Sequence, residues 1–346
     1  MSRLPRIPDI AERAGVSTAT VDRVLNQRTG VRSATTQRVL QAAASLGYLP
    51  AADSPGAAPA RPLRVMLLIP EGSNRFLRML GDVIGYAQDH WAALNVQCEA
   101  AYIESFNPDA LARALLRHGK RCDGIAFMAL EHPVVREAVA QLAERGVPTV
   151  TLISDLSSSQ RVAYVGLDNR AAGRTAAYLI GRFMGPQATS RKARVAMIAG
   201  SLRYRAHEER EAGFLHLFEE QFPRVEVVGV REGLDEVEIN YQQARALLEQ
   251  HRDLAGIYNI GGGAEGIGRA LKEARLEHKI VFIGHGLTPD TRALLIDGTM
   301  DAVITQNPLG AVINCVRIFA NLRDGHETLT GVETPRSQVI FRENLP

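Results

Sequence analysis

Two spacings of hydrophobic residues divide the chain into two regions. Between residues 9 and 50, hydrophobic positions recur every three or four residues, as they do along one face of an amphipathic helix. From residue 63 onward, short runs of consecutive hydrophobic residues alternate with segments of helical spacing. The first pattern predicts a small all-helical unit, and the second predicts a larger body in which strands alternate with helices.

The first region predicts three helices joined by two turns. The helical spacing of Ile10, Ala11 and Ala14 stops at Gly15. Ser17 follows, and its hydroxyl can accept a hydrogen bond from the free N–H groups at the start of a second helix over residues 18–26. The expected inward positions are Val21, Val24 and Leu25 of that helix, and Val39, Leu40, Ala43 and Leu46 of a third helix that Ser33 caps and Gly47 ends.

A helix, a tight turn and a second helix that begins with small polar residues are typical of a helix-turn-helix, whose second helix enters the major groove of DNA. An ordinary α-hairpin fits the same spacing. Charge favours DNA, because residues 1–62 hold eight Arg, no Lys and four acidic residues, whereas the rest of the chain is close to neutral. A small basic unit on a near-neutral body suits a partner made of phosphates.

In the body, hydrophobic runs without strict alternation are typical of parallel strands that are covered on both faces. Helical patterns such as Phe76–Leu94 and Pro133–Arg145 separate most of the runs. Nine strands are too many for one comfortable sheet, so we expect two doubly wound parallel-sheet lobes. The predicted strands are Val65–Ile69, Val96–Ala101, Gly124–Met128, Thr149–Ile153, Val195–Ile198, Val225–Val230, Gly256–Ile260, Ile280–Ile283 and Ala302–Thr305.

Composition limits the class of protein. The chain has 46% hydrophobic and 23% charged residues, which is typical of a globular protein, and it has no hydrophobic run long enough to span a bilayer. Its first residues show no signal-peptide pattern, so we expect a cytoplasmic protein without a membrane partner. The three cysteines, Cys98, Cys122 and Cys315, show no metal-binding spacing, and we expect no metal and no cofactor.

The segments DIAERAGVSTATVDRVLN and VRSATTQRVLQAAASLGYLP resemble the headpiece of the lactose-repressor (LacI/GalR-type) family of bacterial transcription regulators. The body resembles the sugar-binding core that this family shares with periplasmic ribose-binding proteins. The resemblance implies a headpiece over residues 1–50, a linker over 51–62 and a two-lobed ligand-binding and dimerisation core over 63–346. It places lobe one at about 63–167 and 307–335, and lobe two at about 168–306 and 336–346.

The same resemblance implies roles for residues of the headpiece. Thr18, Ala19 and Arg23 would face base edges, with Arg23 the best candidate for a bidentate contact to guanine. Asp22 would either accept from cytosine or pair with an arginine. The remaining predicted DNA-binding residues are Ser17, Thr20, Asn26, Arg32 and Thr35, of which all but Asn26 would hold phosphates.

The linker departs from the family pattern. The family hinge becomes helical on operator DNA and inserts an apolar side chain into the minor groove. Residues 51–62 contain no Leu, Ile or Met, and Pro55, Pro59 and Pro62 oppose a helix. We therefore expect a semi-extended linker rather than a hinge helix.

Ligands of open α/β sheets lie beyond the carboxyl ends of the strands. By similarity to the family, Asn74, Phe76, Asp155, Arg210 and Gln306 line a sugar cleft. Two further candidates are Asn259, which ends the Gly256 strand, and His285, which follows the Ile280 strand. Aromatic faces, amides, a carboxylate and an arginine suit a polyhydroxylated ring. Each has a plainer interpretation: Phe76 as core, Asn74 as a helix cap, and Arg210 as a solvated charge. GHGLTPD and NIGGG replace acidic motifs of the ribose-binding pattern, which argues against ribose.

The run Gly261–Gly266 matches the glycine fingerprint of dinucleotide-binding enzymes, which sets up an alternative function as an NAD-dependent oxidoreductase. The run lies late in the chain, and the next strand ends without the acidic residue that a ribose needs. A tight loop that brings a ligand, such as a phosphorylated sugar, to a helix N-terminus is the plainer role. A solute receptor of a transporter is the other alternative, which the basic headpiece argues against.

The sequence thus predicts a ligand-responsive transcription regulator, a repressor and not an enzyme. Its expected partners are operator double-stranded DNA, a small-molecule effector of the sugar, sugar alcohol or sugar acid class, and a second copy of the chain in a homodimer. Ligand closing the cleft would alter the operator affinity of the headpieces.

Overall fold

The computed structural model describes residues 7–25, 31, 35–36, 38–39, 42–43, 46, 61–189 and 193–346. Its Cα positions divide the chain into two compact units, Met1–Arg61 and Pro62–Pro346. The predicted roles of Asn26, Arg32 and Ser33, and the predicted linker conformation, lie outside the described residues. In the part of the chain that is described, no helix is long and apolar enough to cross a membrane.

The N-terminal unit begins with helices α1 (Ile7–Ala14) and α2 (Thr18–Leu25). The Ser17 hydroxyl accepts a hydrogen bond of 3.2 Å from the Thr20 N–H, which confirms the predicted cap. Gly15 adopts a left-handed φ of 64° between the two helices, where glycine carries no Cβ penalty. A common core joins both helices to a third helical stretch. It is formed by Ile10, Ala11, Ala14, Val21, Val24, Val39, Ala42 and Ala43.

The body contains both of the predicted parallel sheets. All nine predicted strands are present, and the structure adds β5 and β11, which have three residues each. The strands are β1 Leu63–Pro70, β2 Val96–Ile103, β3 Gly124–Phe127, β4 Thr149–Leu152, β5 Ala163–Val165, β6 Arg194–Ala199, β7 Glu226–Glu232, β8 Leu254–Asn259, β9 Val281–His285, β10 Ala302–Thr305 and β11 Gln338–Ile340.

The first sheet has the strand order β2-β1-β3-β4-β5, and every pair in it is parallel. The second has the order β11-β10-β9-β8-β6-β7 and is parallel except where β11 pairs antiparallel with β10. In each sheet the order reverses beside the first strand, and such a switch point leaves a crevice at the carboxyl ends. The two sheets are the cores of two lobes.

Helices cover both faces of each sheet. They are α3 Arg75–Tyr86, α4 Gln88–Ala93, α5 Pro108–His118, α6 Pro133–Glu144, α7 Asn169–Phe183, α8 Arg205–Gln221, α9 Val237–Gln250, α10 Ala264–Glu273, α11 Pro289–Ile296 and α12 Pro308–Arg323. Although α12 follows a strand of the second sheet, its residues Ala311, Val312 and Phe319 are buried in the core of the first. The chain therefore returns to the first lobe before β11 rejoins the second.

The predicted single helix over Phe76–Leu94 is wrong, because the structure has two helices there. Ala87 leaves the helical region, with φ −99° and ψ 22°, while its N–H still bonds to the Val83 carbonyl. The break lets Trp91 lie buried in the first lobe, where its indole N–H donates to the Ile84 carbonyl over 3.1 Å. Burial of this large side chain offsets the lost helical hydrogen bonds.

Candidate functional site

Loops at the carboxyl ends of strands in both lobes line one cavity of about 800 Å³, counting its open mouth. Five of the seven residues that the sequence predicts for ligand binding are on its wall. They are Asn74, Phe76, Arg210, His285 and Gln306.

Asn74 and Phe76 lie in the loop after β1 and the first turn of α3. The Asn74 Oδ1 accepts from the N–H groups of Phe76 and Leu77, over 3.1 and 3.4 Å, so the residue is indeed a helix cap. Its Nδ2 meanwhile faces the other lobe. The Phe76 ring packs against Gly286, where an added Cβ would lie 3.3 Å from the Phe76 side chain. The Phe76 ring therefore forms an aromatic wall of the cavity. The absence of a side chain at Gly286 leaves room for this ring.

Arg210 projects from α8 into the cavity and is only 6% exposed. Its Nε donates to the Asn169 Oδ1 and its Nη1 to the Ile260 carbonyl, each over 2.9 Å. In the described part of the chain no carboxylate lies within ion-pair distance of it, since the neighbouring Glu209 pairs with Arg205 over 2.7 Å. Burial lowers the pKa of Arg210, but a guanidinium titrates so high that it stays charged.

His285 is the last residue of β9, and its Nε2 shares a hydrogen bond of 2.7 Å with the Tyr258 hydroxyl. The Tyr258 ring stacks on Phe214 with centroids 5.0 Å apart, so the aromatic core of the second lobe fixes the imidazole. Burial, with the nearby Arg210 charge, holds the pKa of His285 well below its usual range. His285 is therefore a neutral group on the cavity wall.

The two predicted amides have different surroundings. Gln306 follows β10, is 6% exposed and lines the cavity, and no described protein group bonds to its Oε1. A buried acceptor without a partner is costly unless a ligand or water supplies a donor. Asn259 lies behind the wall, where its Nδ2 donates to the carbonyls of Gly261 and Gly262 over 3.2 and 3.0 Å. It shapes the glycine loop instead of facing the cavity.

Asp155 does not reach the cavity. Its carboxylate turns back onto its own lobe, where it pairs with Arg161 and accepts from the Thr151 hydroxyl and the Leu156 N–H, over 2.6 and 2.8 Å. Burial by itself would raise the pKa of Asp155, but the hydrogen bonds from Arg161 and Thr151 outweigh it and lower that pKa. The carboxylate is thus an ionised structural group that its own lobe satisfies.

Asp235 is a site residue that the sequence reasoning missed. It lies in the loop after β7 and is 5% exposed. Its Oδ2 accepts from the Asn74 Nδ2 over 2.9 Å, its Oδ1 accepts from the Gly262 N–H over 2.7 Å, and its carbonyl accepts from the Ser73 hydroxyl over 2.9 Å. Asp235 therefore bonds to both lobes. The signal was available, because this residue follows the predicted strand Val225–Val230.

Three consecutive glycines bring backbone close to the cavity. A Cβ on Gly262 would lie 2.9 Å from the Asn74 Nδ2, and Gly263 has a left-handed φ of 69°. Helix α10 begins directly after Gly263, and no side chain caps its N-terminus. Main chain rather than side chains therefore lines the cavity at these glycines, and the Gly262 N–H is already bonded to the Asp235 carboxylate.

In the N-terminal unit, the residues predicted to contact bases share one exposed side of α2. Thr18, Ala19 and Arg23 are exposed, whereas Val21 and Val24 on the opposite side are buried. The other described candidates are exposed or half-buried, and they are Ser17, Thr20, Asp22 and Thr35. A helix with its polar side free and its apolar side anchored has the form needed to enter a major groove.

Acidification is expected to destabilise the body through His207, a buried residue of α8 whose pKa burial lowers to about 4. The unfolded chain binds a proton below about pH 6.5, whereas the folded chain does not until about pH 4. The contribution of His207 to stability is therefore complete above pH 6.5 and is lost between pH 6.5 and 4, by on the order of 3 kcal/mol, and the buried His285 adds a loss of the same sign. Urea unfolding at a series of pH values measures this loss.

The His207→Gln variant is expected to reduce this pH dependence and to leave the part that comes from His285. His216→Gln is the matched control, because His216 lies on the same helix but is exposed. Equal slopes for the wild type and His207→Gln would contradict the assignment.

Two family models match the chain. The model for bacterial regulatory proteins of the lacI family matches residues 6–51, and the model for the periplasmic binding protein domain matches residues 83–327.

In the described residues, no group of His, Cys, Asp and Glu side chains could hold a metal ion.

Three curated relatives are transcription regulators by name. An uncharacterized HTH-type transcriptional regulator in the aml 5' region of Streptomyces limosus is 28% identical, over 99% of this chain and 93% of its own. The HTH-type transcriptional regulator MalR of Streptomyces coelicolor is 27% identical, over 98% of this chain and 94% of its own. The ribose operon repressor of Halalkalibacterium halodurans is 28% identical, over 73% of this chain and 70% of its own.

The fold of the body is that of sugar-binding proteins. GanP, a glucose-galactose binding protein from Geobacillus stearothermophilus, superimposes with a TM-score of 0.74 and 25% identity, over 83% of this chain and 100% of that one. A solute binding protein from Burkholderia graminis, in complex with D-arabinose, superimposes with a TM-score of 0.73 and 21% identity, over 82% of this chain and 97% of that one. At this identity the likeness shows the fold alone. The chain therefore belongs to the periplasmic binding protein domain family over most of its length, and its residues 6–51 form a helix-turn-helix domain of the kind found in lacI-family bacterial regulatory proteins.

Proposed function

We propose that this chain is a repressor whose N-terminal helices bind an operator and whose affinity for that operator changes when an effector fills the cavity of the body. The observation that supports this most is a cavity that loops of both lobes line, in a chain that also carries an exposed helix-turn-helix face. The same chain thereby contains a site that can bind an effector and a helix that can bind DNA. An effector that favours one arrangement of the lobes can change DNA affinity by about 1–3 kcal/mol.

The proposed effector is a polyhydroxylated molecule. The Phe76 ring can pack on the C–H face of a sugar ring, while Gln306 and Arg210 offer an acceptor and donors for hydroxyl or charged groups. The printed names of relatives include a ribose operon repressor and a glucose-galactose binding protein. We keep the lobe boundaries inferred from the sequence, 63–167 with 307–335 and 168–306 with 336–346, as part of this proposal.

A homodimer is part of the same proposal. One small helix-turn-helix unit buries little surface on DNA and binds weakly. Pairing two such units through their bodies makes the second contact intramolecular, which raises the effective concentration of the second unit. The expected operator is therefore a pseudo-palindrome with two half-sites.

The test is selection of DNA from a random pool by the purified full-length protein, followed by binding measurements over a range of salt concentrations. A two-fold symmetric consensus, with affinity that falls steeply as salt rises, supports the proposal. Weak binding without any consensus would contradict it.

Arg23→Ala is expected to relax base preference at one position of each half-site by about 1–3 kcal/mol, because Arg23 is the exposed arginine of α2 and can bond guanine at two atoms. Competition binding with every single-base variant of the selected operator measures this. Arg13→Ala is the matched control, since Arg13 is an exposed arginine of α1. A uniform loss on all sequences for Arg23→Ala would show a phosphate contact instead.

A further inference from the structure

We infer that His285 helps to select the effector by donating a hydrogen bond from its Nδ1–H into the cavity, and that Tyr258 is the positioning residue that keeps the proton on this nitrogen. The effector atom opposite His285 is then an acceptor oxygen of a hydroxyl, ring ether or carbonyl group. The contact to the effector rests on the proposed function, whereas the state of the imidazole is a property of the free protein.

The register of the second sheet brings the two side chains together. It pairs Tyr258 of β8 with Ile283 of β9. His285 lies two residues beyond Ile283, and it projects from the same face of the sheet because side chains alternate along a strand. The rings of Tyr258 and His285 are neighbours, with centroids 5.6 Å apart, and the phenol oxygen lies 2.7 Å from the imidazole Nε2.

The burial of Tyr258 fixes the direction of this hydrogen bond. The residue is 0% exposed, so no water reaches its hydroxyl. Among the described residues, this hydroxyl has no hydrogen-bond partner besides His285. If the phenol accepted from an Nε2–H group, its own hydrogen would be buried without an acceptor, which is costly. The Tyr258 hydroxyl therefore donates, and the His285 Nε2 accepts.

The aromatic core of the second lobe holds the phenol in this position. The Tyr258 ring stacks on Phe214 with an interplanar angle of 17°, and Phe214 in turn stacks on Phe218 with centroids 4.7 Å apart. All three side chains are buried in the same core. A ring packed at this density does not turn its hydroxyl away from His285 without displacing its neighbours.

A neutral imidazole whose Nε2 accepts a hydrogen bond carries its proton on Nδ1. Burial, with the nearby Arg210 charge, holds the pKa of His285 well below its usual range, so the ring is neutral. A second proton would have to enter at Nε2, where the phenol hydrogen already lies. The contact with Tyr258 therefore selects a single tautomer, the one with Nδ1–H.

The Nδ1 side of the ring is left for a ligand. No described residue bonds to Nδ1, and this nitrogen does not belong to the fully buried polar atoms that lack a partner. Since His285 lines the cavity, its accessible nitrogen can meet the contents of the cavity. On the same wall, the Gln306 Oε1 is a buried acceptor without a described partner. A ring with several hydroxyls can satisfy both groups, because a hydroxyl donates and accepts.

The first experiment records the two-bond ¹H–¹⁵N correlation spectrum of the full-length protein with ¹⁵N-labelled histidine, in which protonated and unprotonated ring nitrogens have different shifts. His285→Phe identifies the signals of His285 among the nine histidines of the chain. The expected spectrum shows a protonated Nδ1 and an unprotonated Nε2. The reverse pattern, or a ring protonated on both nitrogens at neutral pH, overturns the inference.

Tyr258→Phe tests the positioning role, because it keeps the ring and removes the donor. It is expected to let the Nε2–H tautomer of His285 appear in the same spectrum. Tyr241→Phe is the matched control, since its hydroxyl belongs to the same lobe but bonds to Glu273 over 2.6 Å. An unchanged tautomer in Tyr258→Phe, with an intact circular dichroism spectrum, would remove the role of Tyr258. The wild-type spectrum decides the tautomer even if this variant does not fold.

The second experiment adds D-glucose, D-galactose, D-arabinose and D-ribose in turn and follows both the thermal midpoint and the His285 signals. A sugar that raises the midpoint is expected to shift the Nδ1 signal and to bind His285→Phe about three- to tenfold more weakly than the wild type. A sugar that raises the midpoint but leaves Nδ1 unmoved overturns the contact. Binding by none of the four sugars counts against the proposed effector class, whereas the spectrum of the free protein still decides the tautomer.

Discussion

Gly173→Ala is expected to destabilise the body by about 3 kcal/mol or more, because helices α7 and α8 cross at van der Waals contact of their backbones. A Cβ on Gly173 would lie 2.0 Å from the Arg210 carbonyl oxygen, and a Cβ on Gly213 would lie 2.1 Å from that of Arg170. A side chain can change rotamer, but a helix backbone relieves such a clash only by moving the whole helix. Urea unfolding of the body measures the loss of stability.

Gly85→Ala is the matched control for this substitution. Gly85 lies in α3, and an added Cβ there meets no atom within 4 Å. Alanine also has the higher helix propensity, so this variant is expected to gain up to about 1 kcal/mol. Equal effects at the two positions would mean that the crossing relaxes. Since the clashing atom belongs to Arg210, the Gly173 variant is also expected to lose its response to effector even where it folds.

Asp235→Ala is expected to weaken effector binding by at least tenfold, because this carboxylate bonds to groups of both lobes beside the cavity. Its hydrogen bonds to Asn74 and Gly262 are charge-assisted, and each such bond contributes about 1.5–3 kcal/mol. Leu234 and Asp235 also hold left-handed φ values of 52° and 59°, which cost energy that the closed state must offset. Titration of effector against the operator complex measures the change.

Two controls separate this role from general stability. Asp235→Asn tolerates the same backbone but removes the charge, so it is expected to show most of the loss. Glu220→Gln removes a carboxylate from an exposed pair with Arg174, within one lobe, and is expected to leave effector binding unchanged. Small-angle scattering offers a readout that needs no effector, since loss of the Asp235 contacts is expected to open the free protein. Unchanged scattering and affinity in Asp235→Ala would contradict the assignment.

Sequence periodicity predicted the strands well where they are long and buried. The two strands that it did not predict, β5 and β11, have three residues each, which is too short for a hydrophobic run to stand out. The helix break at Ala87 could not be predicted either, because no proline or capping residue stands there. The break is followed by Trp91, whose burial in the first lobe is a tertiary contact that local periodicity does not show.

A position after a strand predicted which residues line the cavity, but it did not predict their hydrogen-bond and ion-pair partners. It brought Arg210 and Gln306 to the wall, where the structure has them. It also suggested Asp155, which follows a strand equally well, because nothing in the local sequence shows that Arg161 folds back to pair with it. The ion pair forms across a turn whose geometry depends on the neighbouring strand. Asp235 also lies in the loop beyond a predicted strand, but it is five residues past the end of that strand, and the sequence did not predict it.

Trp91 is the only tryptophan of the chain and lies buried in the first lobe, with its indole N–H bonded to the Ile84 carbonyl. Fluorescence excited through an indole therefore originates from a single place in that lobe. Movement of one lobe against the other as rigid bodies leaves the surroundings of the ring unchanged, whereas unfolding of the first lobe exposes it to water and shifts its emission to longer wavelength. The protein thus carries an internal optical probe that distinguishes loss of the first lobe from opening of the cleft.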